Sequence, residues 1–322
     1  MSERVLTIAL TAGDPAGIGP EIAVKVAASP RWRNRAKFVI YGEITVIREA
    51  ARRWSNGEMP EVRSSGDLPF GSFPIGCAEA RCGKIAYDNL TMAVEDALSE
   101  KVDAIVTAPM NKYAVNLAGI PFTGHTERIA ELCGIKDYVM MQSAGNLRMV
   151  FVTCHVPLAE VTHLAVKPKI VQVARLLNHA IQAEGIESPK LAMAAINPHA
   201  GENGCMGMED ELQTKPAIAE LRNSGIDIDG PFPPDTLFIE DIRRNYDGIV
   251  AMYHDQGHIP FKMLAFHNGV NSTLGLPIIR CSPDHGTAFD IAWKGVANIG
   301  SFQAAVELAI CRAERKNAGG NR

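Results

Sequence analysis

Short apolar runs rich in β-branched residues alternate along the chain with longer stretches of helical period. Residues 5–10, 37–41, 104–107, 138–142, 149–153, 191–196 and 248–253 predict strands. Residues 21–28, 85–99, 126–133, 169–183, 210–223 and 302–316 predict helices. Alternation of this kind builds an α/β protein with a mostly parallel sheet flanked by helices. Residues 57–83 follow neither period and carry several Gly and Pro residues, which predicts loops and short strands at a rim. There is no internal repeat, and 317–322 reads as a frayed terminus.

A chain of 322 residues predicts two domains. The 47% hydrophobic and 21% charged residues are an ordinary globular mix, which excludes collagen-like, disordered and coiled-coil proteins. Lys plus Arg number 32 against 36 Asp plus Glu, a net charge of −4, so no basic field exists for a nucleic acid. The seven cysteines (77, 82, 133, 154, 205, 281, 311) contain no C-x-x-C pair and fit neither a disulfide framework nor a zinc ribbon. A reducing, cytoplasmic location is expected. The apolar run at 5–10 is too short for a signal peptide, and no segment approaches the length of a membrane span, so no membrane partner is expected.

Ligands of open α/β sheets bind beyond the carboxyl ends of the strands, so the loops there carry the candidate chemistry. The first strand runs into Thr11-Ala-Gly-Asp-Pro-Ala-Gly-Ile-Gly-Pro-Glu21. Its glycines permit a tight turn with close backbone approach, which suits either an anion at a helix start or a plain strand-to-helix turn; the spacing is not G-x-G-x-x-G. Gly124-His125-Thr126-Glu127 stands before a helical pattern, as a cap or as a pair of hydrogen-bonding groups.

The stronger signal is that His155, His199 and His254 each lie just past an apolar run. Three imidazoles at neighbouring strand ends suit a divalent metal with one open position, and three ordinary histidines remain the alternative. Residues 197–204 and 253–262 read as polar, glycine-bearing loops. In the second of them Asp255 can orient an imidazole, act as a base, or cap a turn. Lys262, Asn271 and Arg280 offer donors suited to phosphate or carboxylate.

Six ordered motifs then identify a resemblance: residues 11–21, 124–127, 197–202, Pro234-Asp-Thr-Leu-Phe238, Tyr253-His-Asp-Gln-Gly257 and 271–288. Together they are similar to the 4-hydroxythreonine-4-phosphate dehydrogenase family of pyridoxal phosphate biosynthesis, from about residue 5 to about residue 310. The resemblance implies the two-domain fold of isocitrate and isopropylmalate dehydrogenases, not a Rossmann domain. It implies a discontinuous cofactor-side domain, 1–125 plus 265–322, around a central metal-binding and dimerisation domain, 126–264. Carried over residue by residue, the metal ligands fall on His155, His199 and His254, and the substrate contacts on His125, Thr126, Lys262, Asn271 and Arg280. Residues 284–292 resemble an adenine-side loop. The cofactor candidates are therefore Asp284, His285, Gly286 and Asp290 with Gly13, Asp14 and Gly17.

The implied enzyme is a homodimer with its metal site shared between subunits. The cofactors expected are NAD or NADP, with NAD favoured, and a divalent ion: Zn²⁺, Co²⁺, Mn²⁺ or Mg²⁺. Between Asp-Gln-Gly and Lys262 the chain reads His258-Ile-Pro-Phe261. That wording is more similar to a sister branch acting on D-threonate or D-erythronate 4-phosphate than to the vitamin B6 enzymes. The expected reaction is oxidation and decarboxylation of such a phosphorylated hydroxy acid to dihydroxyacetone phosphate and CO2. The alternatives are 4-hydroxy-L-threonine 4-phosphate dehydrogenase, a cis-dihydrodiol dicarboxylate dehydrogenase and, from another class, a three-histidine metallohydrolase. Asp255 is the first candidate for the base, followed by Asp235 and Lys112.

Overall fold

The computed structural model describes residues 4–319. Its contacts separate a unit made of the chain up to Lys136 and from Leu276 onward from a second unit, Asp137–Gly275. In chain order the strands are β1 (Leu6–Thr11), β2 (Ala36–Tyr41), β3 (Glu61–Arg63), β4 (Ala104–Thr107), β5 (Val139–Ala144), β6 (Leu147–Phe151), β7 (Lys190–Ala194), β8 (Asp227–Phe232), β9 (Gly248–Ala251), β10 (Val270–Leu274) and β11 (Arg280–Pro283).

The first unit orders its strands β3-β2-β1-β4-β11, and every pair is parallel. Ile8, Ala9 and Leu10 of β1 and Ala104, Ile105 and Val106 of β4 are fully buried, as strands covered by helices on both faces must be. Leu90 and Val94 of the helix Ala80–Leu98 and Ile129 of the helix His125–Leu132 share one core cluster with Ala9, Tyr41 and Ile105. The buried carboxylate of Glu21 binds the two distant pieces of chain together. It accepts from the backbone N–H groups of Gly295 (3.1 Å) and Ala297 (3.0 Å) and pairs with Lys25 at 2.6 Å.

The second unit orders its strands β10-β5-β6-β9-β7-β8. Its first two pairings, β10–β5 and β5–β6, are antiparallel; β6–β9, β9–β7 and β7–β8 are parallel. The helix Lys167–Ala183 buries Ile170, Val173, Ala174, Leu177 and Ile181 on one stripe, the spacing of a core-facing helix. That stripe meets Leu191, Met193, Ile228 and Val250 in a cluster with Leu221 of the helix Lys215–Asn223. A second cluster holds Met149, Phe151, Ala192, Ile249, Leu237 and Phe261.

Each run predicted as a strand overlaps an observed strand, and each predicted helix overlaps a helix, with ends displaced by a few residues. The segment 210–223 divides into a π turn, Asp210–Thr214, and the α-helix Lys215–Asn223. Residues 317–319, expected to fray, continue the last helix, and the rest of that tail lies outside the described residues. The divisions between units also differ from 125/126 and 264/265. The helix from His125 buries Ile129 in the first core, and β10 hydrogen-bonds along β5, so both boundaries fall later. Among the described residues no helix is long and apolar enough to cross a membrane.

The turn after β1 depends on Gly13, whose φ is 64° and whose missing Cβ leaves room for the carbonyl oxygen of Pro109. Gly13→Ala should lower the unfolding free energy by about 2 to 4 kcal/mol, because left-handed strain adds to a backbone collision. Denaturant unfolding with an unchanged midpoint would refute this account of the turn.

Candidate active site

In the second unit β6, β9 and β7 lie side by side and parallel, so their carboxyl ends open on one rim. The β6–β9 ladder continues past the strands: Val152 donates to the Ala251 carbonyl at 2.9 Å and Thr153 to that of Met252 at 3.0 Å. The Thr153 hydroxyl donates to the same Met252 oxygen at 2.8 Å. With the backbone fixed to that point, the residues that follow emerge together. The Cys154 sulfur and one ring nitrogen each from His155 and His254 lie within 4.8 Å of one another, and the two rings are 6.0 Å apart.

His254 opens a helix, His254–Ala265, so the segment expected to be a loop is helical from the ligand candidate onward. Gly257 and Pro260 suggest a loop in the sequence, but each has a place in the helix. A Cβ at Gly257 would collide with Met149 and Phe151, so glycine lets the helix lie against β6. Pro260 takes the interior of the helix, removing one backbone donor. The His254 ring is held from two sides. Its Nδ1 lies 2.7 Å from Asp255 Oδ1, and it stacks at 4.0 Å on His258, which stacks at 4.0 Å on Phe151.

The buried amide of Gln256 fixes the neighbouring strand ends: its Oε1 accepts from Met252 N at 2.6 Å and its Nε2 donates to the Ala195 carbonyl at 2.7 Å. His199, exposed beyond β7, is not part of the three-atom group of Cys154, His155 and His254. It lies in a run, 199–203, with φ between 43° and 75° throughout. The buried carboxylate of Asp210 secures that loop, accepting from Ile196 N (2.8 Å), Asn197 N (2.9 Å) and the Thr214 hydroxyl (2.8 Å). Asp235 is exposed in the helical turn Pro234–Leu237 after β8. Lys262 is exposed on the helix from His254, and half-buried Asn271 sits on β10 opposite Gln142.

Two imidazoles within reach of each other, one of them bonded at Nδ1 to a carboxylate, fit a divalent transition-metal ion. Sequence reasoning missed Cys154, Gln256, His258 and Asp210. Gln256 and His258 stand within segments that carry the resemblance, which assigns them no role, Cys154 and Asp210 have no local motif, and each acts through a contact made after the strands have paired.

In the first unit a cavity of about 120 Å³ opens at the ends of β4 and β11, with Thr107, Met110, His125, Arg280, Ser282 and His285 in its wall. Arg280 is 4% exposed and donates to the Thr107 hydroxyl at 2.8 Å. Burial pulls its pKa down to about 10, which still leaves the guanidinium charged at neutral pH. His125 Nε2 is shut away from solvent without a partner. Burial, and then the charge of Arg280, push its pKa down to about 3, so the imidazole is neutral. His285 Nε2 is likewise buried and unpartnered, and burial lowers its pKa. One buried cation beside two neutral imidazoles with unspent nitrogens suits an oxygen-rich anion.

Thr126 is half-buried next to His125, while Lys112 is exposed at the start of the helix Lys112–Leu117. The turn carrying Gly13, Asp14 and Gly17 meets the loop of Asp284, His285 and Gly286. Asp14 N donates to Pro109 at 3.0 Å, and Ile18 N to Thr287 at 3.1 Å. Asp284 N donates to the Ser301 hydroxyl at 3.0 Å, and Asp290 is exposed in the short turn Phe289–Ile291. The structure therefore gathers His125, Arg280 and the candidate cofactor loops in the first unit, and the metal-ligand candidates, Asp255, Asp235, Lys262 and Asn271 in the second.

Comparison with known proteins adds an independent line. The sequence profile of the family described as pyridoxal phosphate biosynthetic protein PdxA matches residues 24–309. The chain is 40% identical to the D-threonate 4-phosphate dehydrogenase of Salmonella typhimurium, over 94% of this chain and 98% of that one. It is also 40% identical to the 4-hydroxythreonine-4-phosphate dehydrogenase of Desulforapulum autotrophicum, over 97% of both. The crystal structure of 4-hydroxythreonine-4-phosphate dehydrogenase from Klebsiella pneumoniae superposes with a TM-score of 0.82 at 38% identity, covering 96% of this chain and 99% of the other. A β-decarboxylating dehydrogenase from Thermococcus kodakarensis shares the fold with a TM-score of 0.50 at 15% identity, over 98% and 89% of the two chains. The expected fold class, a mostly parallel α/β dehydrogenase fold of that kind, is thus the observed one.

Asp14 provides a direct test of the first unit's geometry. It is fully buried, with Oδ1 accepting from Ala16 N at 2.9 Å and Oδ2 unpartnered. Burial, against that hydrogen bond, raises its pKa from 3.8 to about 6. The folded protein therefore binds this proton more tightly than the unfolded chain. Stability should fall as pH rises from about 4 to about 6 and stay reduced above that range. Asp14→Asn should remove this dependence and raise stability at pH 7 by up to about 3 kcal/mol. Parallel pH–stability curves for the two proteins would contradict it.

Proposed function

The chain belongs to the pyridoxal phosphate biosynthetic protein PdxA family, and from that premise we propose that it oxidises the secondary hydroxyl of a 4-phosphorylated four-carbon hydroxy acid with NAD(P)⁺. The substrate is D-threonate 4-phosphate or D-erythronate 4-phosphate. The products are dihydroxyacetone phosphate, CO2 and reduced nicotinamide, and NAD is the preferred nucleotide. The observation that carries the reading is the pairing of His155 and His254 at adjacent strand ends, with Asp255 bonded to the second ring.

His155, His254 and His199 are the residues that hold a divalent ion in this reading. Such an ion supplies Lewis acidity, which lowers the pKa of an alcohol and stabilises charge developing on an enolate oxygen. Asp255 keeps the His254 ring in one tautomer and orientation, and its exposed second oxygen is the first candidate to take the hydroxyl proton. Asp235 and then Lys112 follow it as candidates. Arg280 and His125 hold the phosphate as charged and neutral donors, and Thr126, Lys262 and Asn271 are the further substrate contacts that the family resemblance assigns. Fixing the phosphate fixes the carbon chain, and orientation is where discrimination among hydroxy acids arises. Gly13, Asp14, Gly17, Asp284, His285, Gly286 and Asp290 line the nucleotide's place.

The two curated relatives named above are equally identical to this chain, so overall likeness does not choose between threonate and hydroxythreonine. The His258-Ile-Pro-Phe261 segment favours the acid, and it is built into the structure, since His258 stacks against His254. Ile259, Met263, Leu264 and Phe266 expose 49–82% of their surfaces on and just after one helix. An apolar face of that size supports a homodimer, in which a shared metal site becomes possible. Seven cysteines without a disulfide support a cytoplasmic setting.

Assays with D-threonate 4-phosphate, D-erythronate 4-phosphate, 4-phospho-hydroxy-L-threonine and a dihydrodiol dicarboxylate, each with both nucleotides, should show reduced nicotinamide and CO2 with one of the first two. Turnover on the dicarboxylate alone would reject the phosphate roles given to Arg280 and His125. Release of phosphate without nicotinamide reduction would make the protein a hydrolase. Asp255→Asn, assayed at saturating metal, should reduce kcat by about 10²- to 10⁴-fold. Near-normal turnover would move the base to Asp235.

A further inference from the structure

Resting on the reading of His155 and His254 as metal ligands, we propose that Cys154 is a further ligand of the same ion and strengthens the site's preference for the softer divalent ions, Zn²⁺ and Co²⁺, over Mg²⁺. The sulfur belongs to the group of donor atoms that lie within 4.8 Å of one another, a group that does not include His199. Nitrogen and sulfur atoms sharing one tetrahedral ion lie about 3.3 to 3.8 Å apart, so a small side-chain rotation brings all three within bonding distance. The backbone does not have to move. The β6–β9 ladder is hydrogen-bonded as far as Thr153 and Met252, and Cys154 and His155 leave it directly beside His254.

The chemistry of the three donors explains the selectivity. Two neutral imidazoles already favour Zn²⁺ and Co²⁺ over Mg²⁺, which prefers oxygen donors. A thiolate adds a negative charge and a polarisable donor, which Zn²⁺ and Co²⁺ accept and Mg²⁺ does not. Binding converts the thiol to thiolate, and the proton leaves to solvent as the metal–sulfur bond forms. Cys154 is half-buried, which shields the sulfur while leaving it accessible to an entering ion.

Cobalt(II) titration of the metal-free full-length protein, without substrate, tests this by spectroscopy. The expected result is visible d–d bands of a low-coordinate site together with a sulfur-to-cobalt charge-transfer band in the near ultraviolet. Cys154→Ser should keep the d–d bands, lose the charge-transfer band and bind cobalt at least about tenfold more weakly. Its preference for Zn²⁺ over Mg²⁺ in competition should narrow by about the same factor while keeping its sign. Cys77→Ser, a change at an exposed cysteine of the other unit, should alter none of these. Cobalt d–d bands without charge transfer in the unaltered protein, or a charge-transfer band that survives Cys154→Ser, would overturn the role of Cys154 and leave the histidine site standing. Failure of the unaltered protein to bind cobalt at all would remove both.

Discussion

The ends of three adjacent parallel strands are held level by one buried amide and one hydroxyl. Gln256 accepts from Met252 N just after β9 and donates to the Ala195 carbonyl just after β7, while the Thr153 hydroxyl joins the end of β6 to the Met252 carbonyl. Loops leaving a parallel sheet diverge unless their starting points are fixed, and a ring nitrogen must be placed within a few tenths of an ångström to share an ion. The candidate metal ligands therefore depend on hydrogen bonds made by residues that carry no chemistry themselves. Being buried, these bonds are strong, and leaving either partner unsatisfied costs more than the bond contributes.

The first unit meets a different constraint. It buries the guanidinium of Arg280 in a cavity whose two imidazoles, His125 and His285, are held neutral by the same burial. A charged donor beside neutral imidazoles concentrates positive potential, and in low dielectric that potential acts strongly on an anion. Asp14, the buried acid of the neighbouring turn, has its pKa raised to about 6 by the same kind of burial.

The two sets of groups divide the chemistry by physical type. Shape and charge in the first unit suit recognition of an anion, and soft donors in the second suit polarisation of an oxygen. Family membership and these two arrangements agree on an oxidoreductase. The stack of Phe151, His258 and His254 links the feature that favours a phosphorylated acid to a candidate metal ligand.

The strands and helices were legible in the sequence because burial on both faces produces uninterrupted apolar runs, as in β1 and β4, and a core-facing helix repeats its apolar residues, as from Ile170 to Ile181. The histidines were legible because parallel strands end where ligands bind, so an imidazole just past an apolar run is conspicuous. The helix from His254 was not legible, since Gly257 and Pro260 break helices in isolation and only packing against Met149 and Phe151 gives that glycine its purpose. Nor could the sequence show that β6, β9 and β7 are neighbours, because strand order is set by long-range pairing that leaves no local trace. Residue types and their periods are local properties, which the chain carries before it folds. The placing of Cys154 beside His155 and His254, and of Gln256 between two strand ends, exists only once distant segments have been brought into register.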